Sequence, residues 1–313
     1  MRPALPGPVL TVPQASIKRY EVNISKAIEL KEGMKALDLG CGVGGPMRTI
    51  AAASGAHVTG ITINEYQVKR ATEHNVAAGL ATRCTVVQGN FLALPFAPAT
   101  FDGAYCIEAA CHAPKLVELY AQVFKALKPG AKFASYEWLK TPIYDANNPA
   151  HVRVVDGVAE GNALPDVRDL ADVLAAAKAV GFTVVNCTDA ALGAEIPWHA
   201  AMKSARMFSY ITHYTTALLE LIGWAPAGTA AVHKMLINAA LDLEESGRLG
   251  VFTVRLLSHE CQPVPHPASR SPCTCASSRS LCRRRDGGTG VTHTVEHLLL
   301  FYGVSIRSAP SAL

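Results

Sequence analysis

No apolar run in this chain reaches the roughly 18 residues that a bilayer-spanning helix needs. The first fourteen residues, "MRPALPGPVLTVPQ", carry one Arg and four prolines. They lack the unbroken apolar core of a secretory signal. Paired C-x-x-C spacings, the mark of many zinc sites, are absent. Nine cysteines is an odd number and no secretory signal precedes them, so a disulfide framework is not expected. Residues 1–254 also lack net charge. The whole chain is +4, and residues 255–313 alone hold seven Lys/Arg against three Asp/Glu, again +4. A neutral body argues against a protein that grips a nucleic-acid backbone. These absences predict a soluble cytoplasmic chain, with peripheral contact at the endoplasmic reticulum left open. No nucleic acid and no metal are expected.

Half of the 313 residues are hydrophobic, enough for a large core. From residue 35 short apolar runs alternate with helical stretches. "KALDLG", "HVTGIT", "CTVVQG", "FDGAYCIE", "AKFASYEW" and "FTVVNC" read as strands. "PMRTIAAASG", "NEYQVKRATEHNVAAG", "KLVELYAQVFKALKPG" and "VRDLADVLAAAKAVG" read as helices. Asn64 suits the start of the second helix and Gly79 its end. This alternation predicts an α/β fold with a mainly parallel, Rossmann-like sheet flanked by helices. From "TPIYDANNPAH" to "GNALPD" no strong period is visible, which reads as a long binding loop or lid. "IPWHAAMKSARMFSYITHYTTALLELIG" and "AAVHKMLINAALDLEESG" read as amphipathic helices able to roof an apolar pocket.

Parallel sheets bind ligands beyond the carboxyl ends of their strands. The first such turn is "LDLGCGVGGP", with Gly40, Gly42, Gly44 and Gly45. Its letters satisfy G-x-G-x-x-G, a weak signal when alone. Asp38, two residues before the first glycine, is unwelcome beside a pyrophosphate. The next strand ends "GITIN", with no acid for an adenosine ribose. A carboxylate by a glycine turn suits a ligand with a positive amino-acid end, such as S-adenosylmethionine.

"LDLGCGVGGP", "EAACHAPK", "YEWLKTPIYDANNPAH" and "AEIPWH" resemble the sterol 24-carbon methyltransferases, a family of class I S-adenosylmethionine-dependent methyltransferases. The resemblance runs from "ASIKRYE" at residue 15 to "GRLGVFT" at 247–253. It implies a class I methyltransferase domain over 35–257, after an N-terminal segment and helix over 1–34. The sterol-binding part would lie at about 195–257. It also implies S-adenosylmethionine as cofactor and a sterol as substrate, methylated at carbon 24. Asp38, Gly40, Gly42 and Gly44 match the loop that holds the methionine part. Thr62 and Gln67 match positions that meet the ribose hydroxyls. Asn90 stands where the family usually carries Asp against the adenine amino group.

"CIEAACHAPK" follows the fourth strand, at the ligand edge. Cys106 and Cys111 read as small apolar residues, since direct displacement from a sulfonium gives a thiol nucleophile nothing to do. Glu108 is expected to stabilise positive charge on the alkene side chain, and His112 to take or relay the final proton. Tyr136, Glu137 and Trp138 are further candidates for the substrate site.

The chain departs from the family at both ends. An aromatic stretch resembling Tyr-Glu-Tyr-Gly-Trp-Gly, expected before "SIKRYE", is missing. From Ser258 the sequence turns rich in Ser, Pro, Arg and Cys, so 258–313 is expected to be a low-complexity, disordered tail. Two alternatives stay open: a methyltransferase for another lipid or small amphiphile, and a non-catalytic S-adenosylmethionine-binding remnant.

Overall fold

The computed structural model describes residues 12–189 and 199–261. "VTHTVEHLLLFYGV", most of "AEIPWH" and the tail beyond Cys261 lie outside them. In chain order the elements are α1 (Val12–Ala27), β1 (Lys35–Leu39), α2 (Gly45–Ser54), β2 (His57–Thr62), α3 (Glu65–Ala77) and β3 (Cys84–Gln88). Then come β4 (Phe101–Ile107), a short 3-10 turn (Ala110–His112), α4 (Leu116–Ala126), β5 (Leu127–Lys140) and α5 (Pro149–Gly161). The chain continues with α6 (Leu170–Ala179), β6 (Phe182–Asp189), α7 (Ala200–Leu221), α8 (Thr229–Leu249) and β7 (Phe252–Cys261).

One seven-stranded sheet runs β3-β2-β1-β4-β5-β7-β6. The pairs of β2 with β3, β1 with β2, β1 with β4 and β4 with β5 are parallel, while β7 is antiparallel to both neighbours. The parallel strands are covered on both faces, which is why they read as continuous apolar runs. Leu37 and Leu39 are wholly buried on one side of β1, and Ala36 on the other. The strand order reverses at β1, with β2 to one side and β4 to the other. Connections leave the carboxyl ends of β1 and β4 in opposite directions and open a crevice there.

Two expectations are corrected. The segment read as a long loop contains α5. Asn148 caps it by accepting from the Ala150 N–H, and Pro149 occupies the first turn. Val154, Val155 and Val158 form its buried stripe. Gly157 and Gly161 weaken the helical signal but permit close approach to α8. A Cβ on Gly157 would fall 2.3 Å from Asp242, and one on Gly161 2.5 Å from the Ala239 Cβ.

The second correction concerns the tail boundary. Strand β7 continues through Ser258 to Cys261, pairing with β5 on one side and β6 on the other. Ser258 and His259 are buried. These four residues belong to the sheet.

Candidate active site

The glycine turn after β1 and the "EAACHAPK" turn after β4 touch. A Cβ on Gly40 would lie 2.4 Å from the Ala109 Cβ, so only glycine lets the two turns approach this closely. Gly40 also has a φ of +74°, a left-handed conformation that favours glycine. Gly42, at φ +54°, is the opposite case: a Cβ there would meet nothing within 4 Å. Its backbone faces open space, where a ligand can come close. A cradle of this form fits the amino-acid end of S-adenosylmethionine.

Asp38 lies beneath the cradle, buried, and its carboxylate accepts from the Tyr105 hydroxyl at 3.1 Å. Burial pushes its pKa up to about 7, against the opposing effect of the Tyr105 bond. A ligand ammonium seated above it would therefore have to draw a proton off below pH 7. Affinity for S-adenosylhomocysteine is expected to rise roughly tenfold from pH 6 to pH 8 and then level off. Asp38→Asn should flatten that slope in calorimetry at the two pH values. A parent profile already flat would remove Asp38 from contact with the ligand.

Thr62, at the end of β2, donates to the Gln67 side-chain oxygen at 2.6 Å. Asn64 caps α3 by accepting from the Gln67 N–H. The two residues expected at the ribose are thus held side by side. The Gln67 amide hydrogens are free of that bond and can serve a ribose oxygen. Asn90 is exposed after β3, and its side-chain oxygen accepts from the Leu92 N–H at 2.8 Å. That oxygen closes its own turn, so only its second lone pair is left for an adenine amino group.

Glu108 ends β4 with φ +53°, and this left-handed turn points its buried side chain back across the sheet. One carboxylate oxygen accepts from the Tyr20 hydroxyl on α1 at 2.9 Å. The other, Oε2, is buried without a hydrogen-bond partner among the described residues. A cavity of about 220 Å³ is lined by Glu108, Cys111, His112, Trp138, Leu164 and Leu236, among others. The Trp138 indole N–H is likewise buried and has no partner among the described residues. His112 is exposed on this cavity, its Nδ1 3.4 Å from the Ala163 carbonyl. Cys106 and Cys111 are buried and burial holds both thiols protonated. The Cys111 thiol donates to the Glu108 carbonyl at 3.3 Å, a structural task.

The candidates on β5 divide by face. Tyr136 and Trp138 point to the Glu108 side, where Tyr136 stacks on Tyr20 with ring centroids 3.7 Å apart. Glu137 points the other way and accepts from Tyr120 on α4 at 3.2 Å. Alternation along a strand excludes it from the face that Tyr136 and Trp138 share. Its carboxyl is raised in pKa by burial, opposed by the hydrogen bond from Tyr120.

Three contributors were not legible as site residues: Tyr20, Leu236 on α8, and Arg168. The Arg168 guanidinium donates to the Ala113 and Ala110 carbonyls and fixes the turn that carries Glu108 and His112. The "SIKRYE" stretch was the available signal for Tyr20. Arg168 and Leu236 had none, because their partners are far away in sequence.

A methyltransferase domain family matches residues 37–135, and the sterol methyltransferase C-terminal family matches 200–259. The chain is 46% identical over 251 residues to 24-methylenesterol C-methyltransferase 2 of Oryza sativa subsp. japonica, covering 80% of this chain and 68% of that protein. This chain belongs to the sterol methyltransferase family. It is 51% identical to 24-methylenesterol C-methyltransferase 3 of Arabidopsis thaliana, over 72% of this chain and 63% of that one. Identity to cycloartenol-C-24-methyltransferase 1 of Oryza sativa subsp. japonica is 42%, over 76% and 72%. The chain thus spans about two thirds of the length of these sterol methyltransferases. Among solved structures, the mycolic acid cyclopropane synthase CmaA1 complexed with SAH and CTAB matches with TM-score 0.66 at 15% identity, covering 80% of this chain and 86% of that one. A geranyl diphosphate C-methyltransferase from Streptomyces coelicolor A3(2) matches at TM-score 0.56 and 15% identity, over 79% and 76%. The fold is that of the class I methyltransferases, and S-adenosylmethionine is the cofactor.

Proposed function

We propose that this chain transfers a methyl group from S-adenosylmethionine to the side-chain alkene at carbon 24 of a sterol. The observation that carries the reading is the buried Oε2 of Glu108, without a hydrogen-bond partner among the described residues, at the cavity that follows β4. A negative oxygen left unpaired in a dry site is costly unless something positive arrives there.

When bound, the cofactor supplies a sulfonium methyl: an alkene π pair forms the new C–C bond, the C–S pair leaves with sulfur, and positive charge passes to the side chain. The residues then do four things. The walls built from Trp138, Leu164 and Leu236 exclude water that would capture the cation. Glu108 faces the developing charge with a carboxylate already in place, so little reorganisation is needed. The Trp138 ring lines the same cavity and offers its π electrons to the charge, while Tyr136 is stacked on Tyr20. His112, at the exposed edge, takes the departing proton and passes it to solvent.

Within the sterols, a 24-methylene acceptor is the preferred reading. It rests on 46–51% identity to the 24-methylenesterol enzymes against 42% to the cycloartenol enzyme. Labelled cofactor with 24-methylene sterol, cycloartenol and zymosterol tests it directly. Label should enter the first fastest, and label in none of the three would overturn the reading. A non-sterol triterpene is the second reading. It rests on 48% identity to the botryococcene C-methyltransferase and 42% to squalene methyltransferase 1, both of Botryococcus braunii. Squalene belongs in the same assay.

Peripheral membrane contact is part of the proposal. The connection between α7 and α8 exposes Leu221 and Trp224, each at 82%. The adjacent Glu220 is engaged in capping α8, accepting from the Gly228 and Ala230 N–H groups at 2.7 Å. That leaves an apolar tip suited to the headgroup boundary of a bilayer. Co-sedimentation with phosphatidylcholine vesicles, reduced at least about threefold by Leu221→Ser with Trp224→Ser, is the expected result.

A further inference from the structure

We propose that Tyr20 on α1 is the positioning residue for Glu108, holding one carboxylate oxygen so that the other stays turned into the cavity. The inference rests on the reading of Glu108 given above. Three contacts close a loop between α1, β4 and β5. Tyr136 donates through its hydroxyl to the Tyr20 carbonyl at 3.0 Å. The two rings stack at an interplanar angle of 13°. Tyr20 in turn donates through its hydroxyl to Glu108 Oε1 at 2.9 Å. The stack holds the ring and the carbonyl bond holds the backbone that carries it, and together they present the hydroxyl to Glu108.

The arrangement matters because Glu108 leaves the end of β4 in a left-handed conformation and has no ion pair among the described residues. Apart from its carbonyl, which accepts from Cys111, the Tyr20 bond is the hydrogen bond that defines its side-chain direction. A second donor stands nearby. The buried Trp138 indole N–H lines the same cavity without a partner. Released from Tyr20, the carboxylate would turn toward that indole and spend on it the oxygen that otherwise faces the substrate. Burial and the neighbouring Glu108 raise the Tyr20 pKa, so the phenol keeps its proton and remains a donor.

Tyr20→Phe keeps the stacked ring and removes only the donor. The full chain is the test protein, read in two ways. Turnover of 24-methylene sterol should show kcat down about tenfold, with the sterol KM and the S-adenosylhomocysteine affinity unchanged within about twofold. Binding of a sterol with a side-chain ammonium, a stable mimic of the cation, should weaken by about the same factor and needs no turnover. Adding Tyr20→Phe to Glu108→Gln should then cost nothing further in either readout, because Tyr20 acts through the carboxylate.

Factors that multiply in the double variant would overturn the role of Tyr20 and leave that of Glu108 standing. So would a Tyr20→Phe variant that keeps full kcat and full ammonium affinity. A lowered melting temperature accompanied by equal losses in KM and cofactor affinity would also overturn it, since that is the mark of a packing role. Full turnover and full ammonium affinity in Glu108→Gln alone would strike the underlying reading instead.

Discussion

Glu108→Gln is expected to lower methyl transfer roughly 10²-fold, about 2.7 kcal/mol of transition-state stabilisation. Affinity for S-adenosylhomocysteine should stay within about threefold, since cradle contacts come from other residues. The amide keeps the shape and can still accept the Tyr20 hydroxyl at the position of Oε1. What changes is the group at Oε2, which is buried and unpartnered in the parent. A carboxylate oxygen there attracts a cation, whereas an amide NH₂ presents hydrogens and repels one. The effect is large because Oε2 is itself buried, where screening by water is weak. Stability should move the other way. An unpaired buried charge disfavours folding, so the variant should melt at the same temperature or higher, the usual trade between stability and function. A rate loss with a higher melting temperature cannot be ascribed to partial unfolding. Retention of full turnover would assign the cation to the ring of Trp138 instead.

Much of this site could be read along the chain, for identifiable reasons. The core strands are short apolar runs because both faces of a parallel sheet are covered. The glycine turn is visible because a left-handed backbone at Gly40 leaves few other residues acceptable. Asn64 is a helix start in the sequence and in the structure. What failed to show depends on neighbours that are distant in sequence. Glu137 sits between two site residues in the sequence, but a strand sends it to the opposite face and against Tyr120. The glycines of α5 look like helix breakers until α8 is seen lying against them. Tyr20 is one polar-edged aromatic in a helix, and its meaning appears only where β4 and β5 bring Glu108 and Tyr136 to it.

The strongest such case is the end of β7, and it yields the second large effect. A chain ended at Leu257 is expected not to fold, whereas one ended at Cys261 keeps every strand pair described above. "SHEC" reads as the start of a polar tail, yet β7 lies between β5 and β6. Ser258, His259 and Glu260 pair with Ala134, Phe133 and Lys132 on one side. On the other, Ser258 to Cys261 pair with Asn186, Val184, Thr183 and Phe182. The His259 ring is wholly buried, 5.9 Å from the Phe133 ring centroid and 5.7 Å from that of Phe182. Neither of its nitrogens has a hydrogen-bond partner among the described residues. Burial lowers its pKa to about 4, so at neutral pH it packs as an uncharged aromatic ring. Removing these residues strips ladder bonds from two strands at about 1 kcal/mol each. It also opens Phe133, Phe182 and Tyr120 to water, at about 1.5–3 kcal/mol for each large side chain uncovered. The sum is comparable with the roughly 5–15 kcal/mol that holds a domain folded. Circular dichroism melts and gel filtration of the two truncated chains decide it. The longer one should show a cooperative transition and a compact elution, and the shorter one neither. Identical melts for both would mean that the sheet closes without its last four residues.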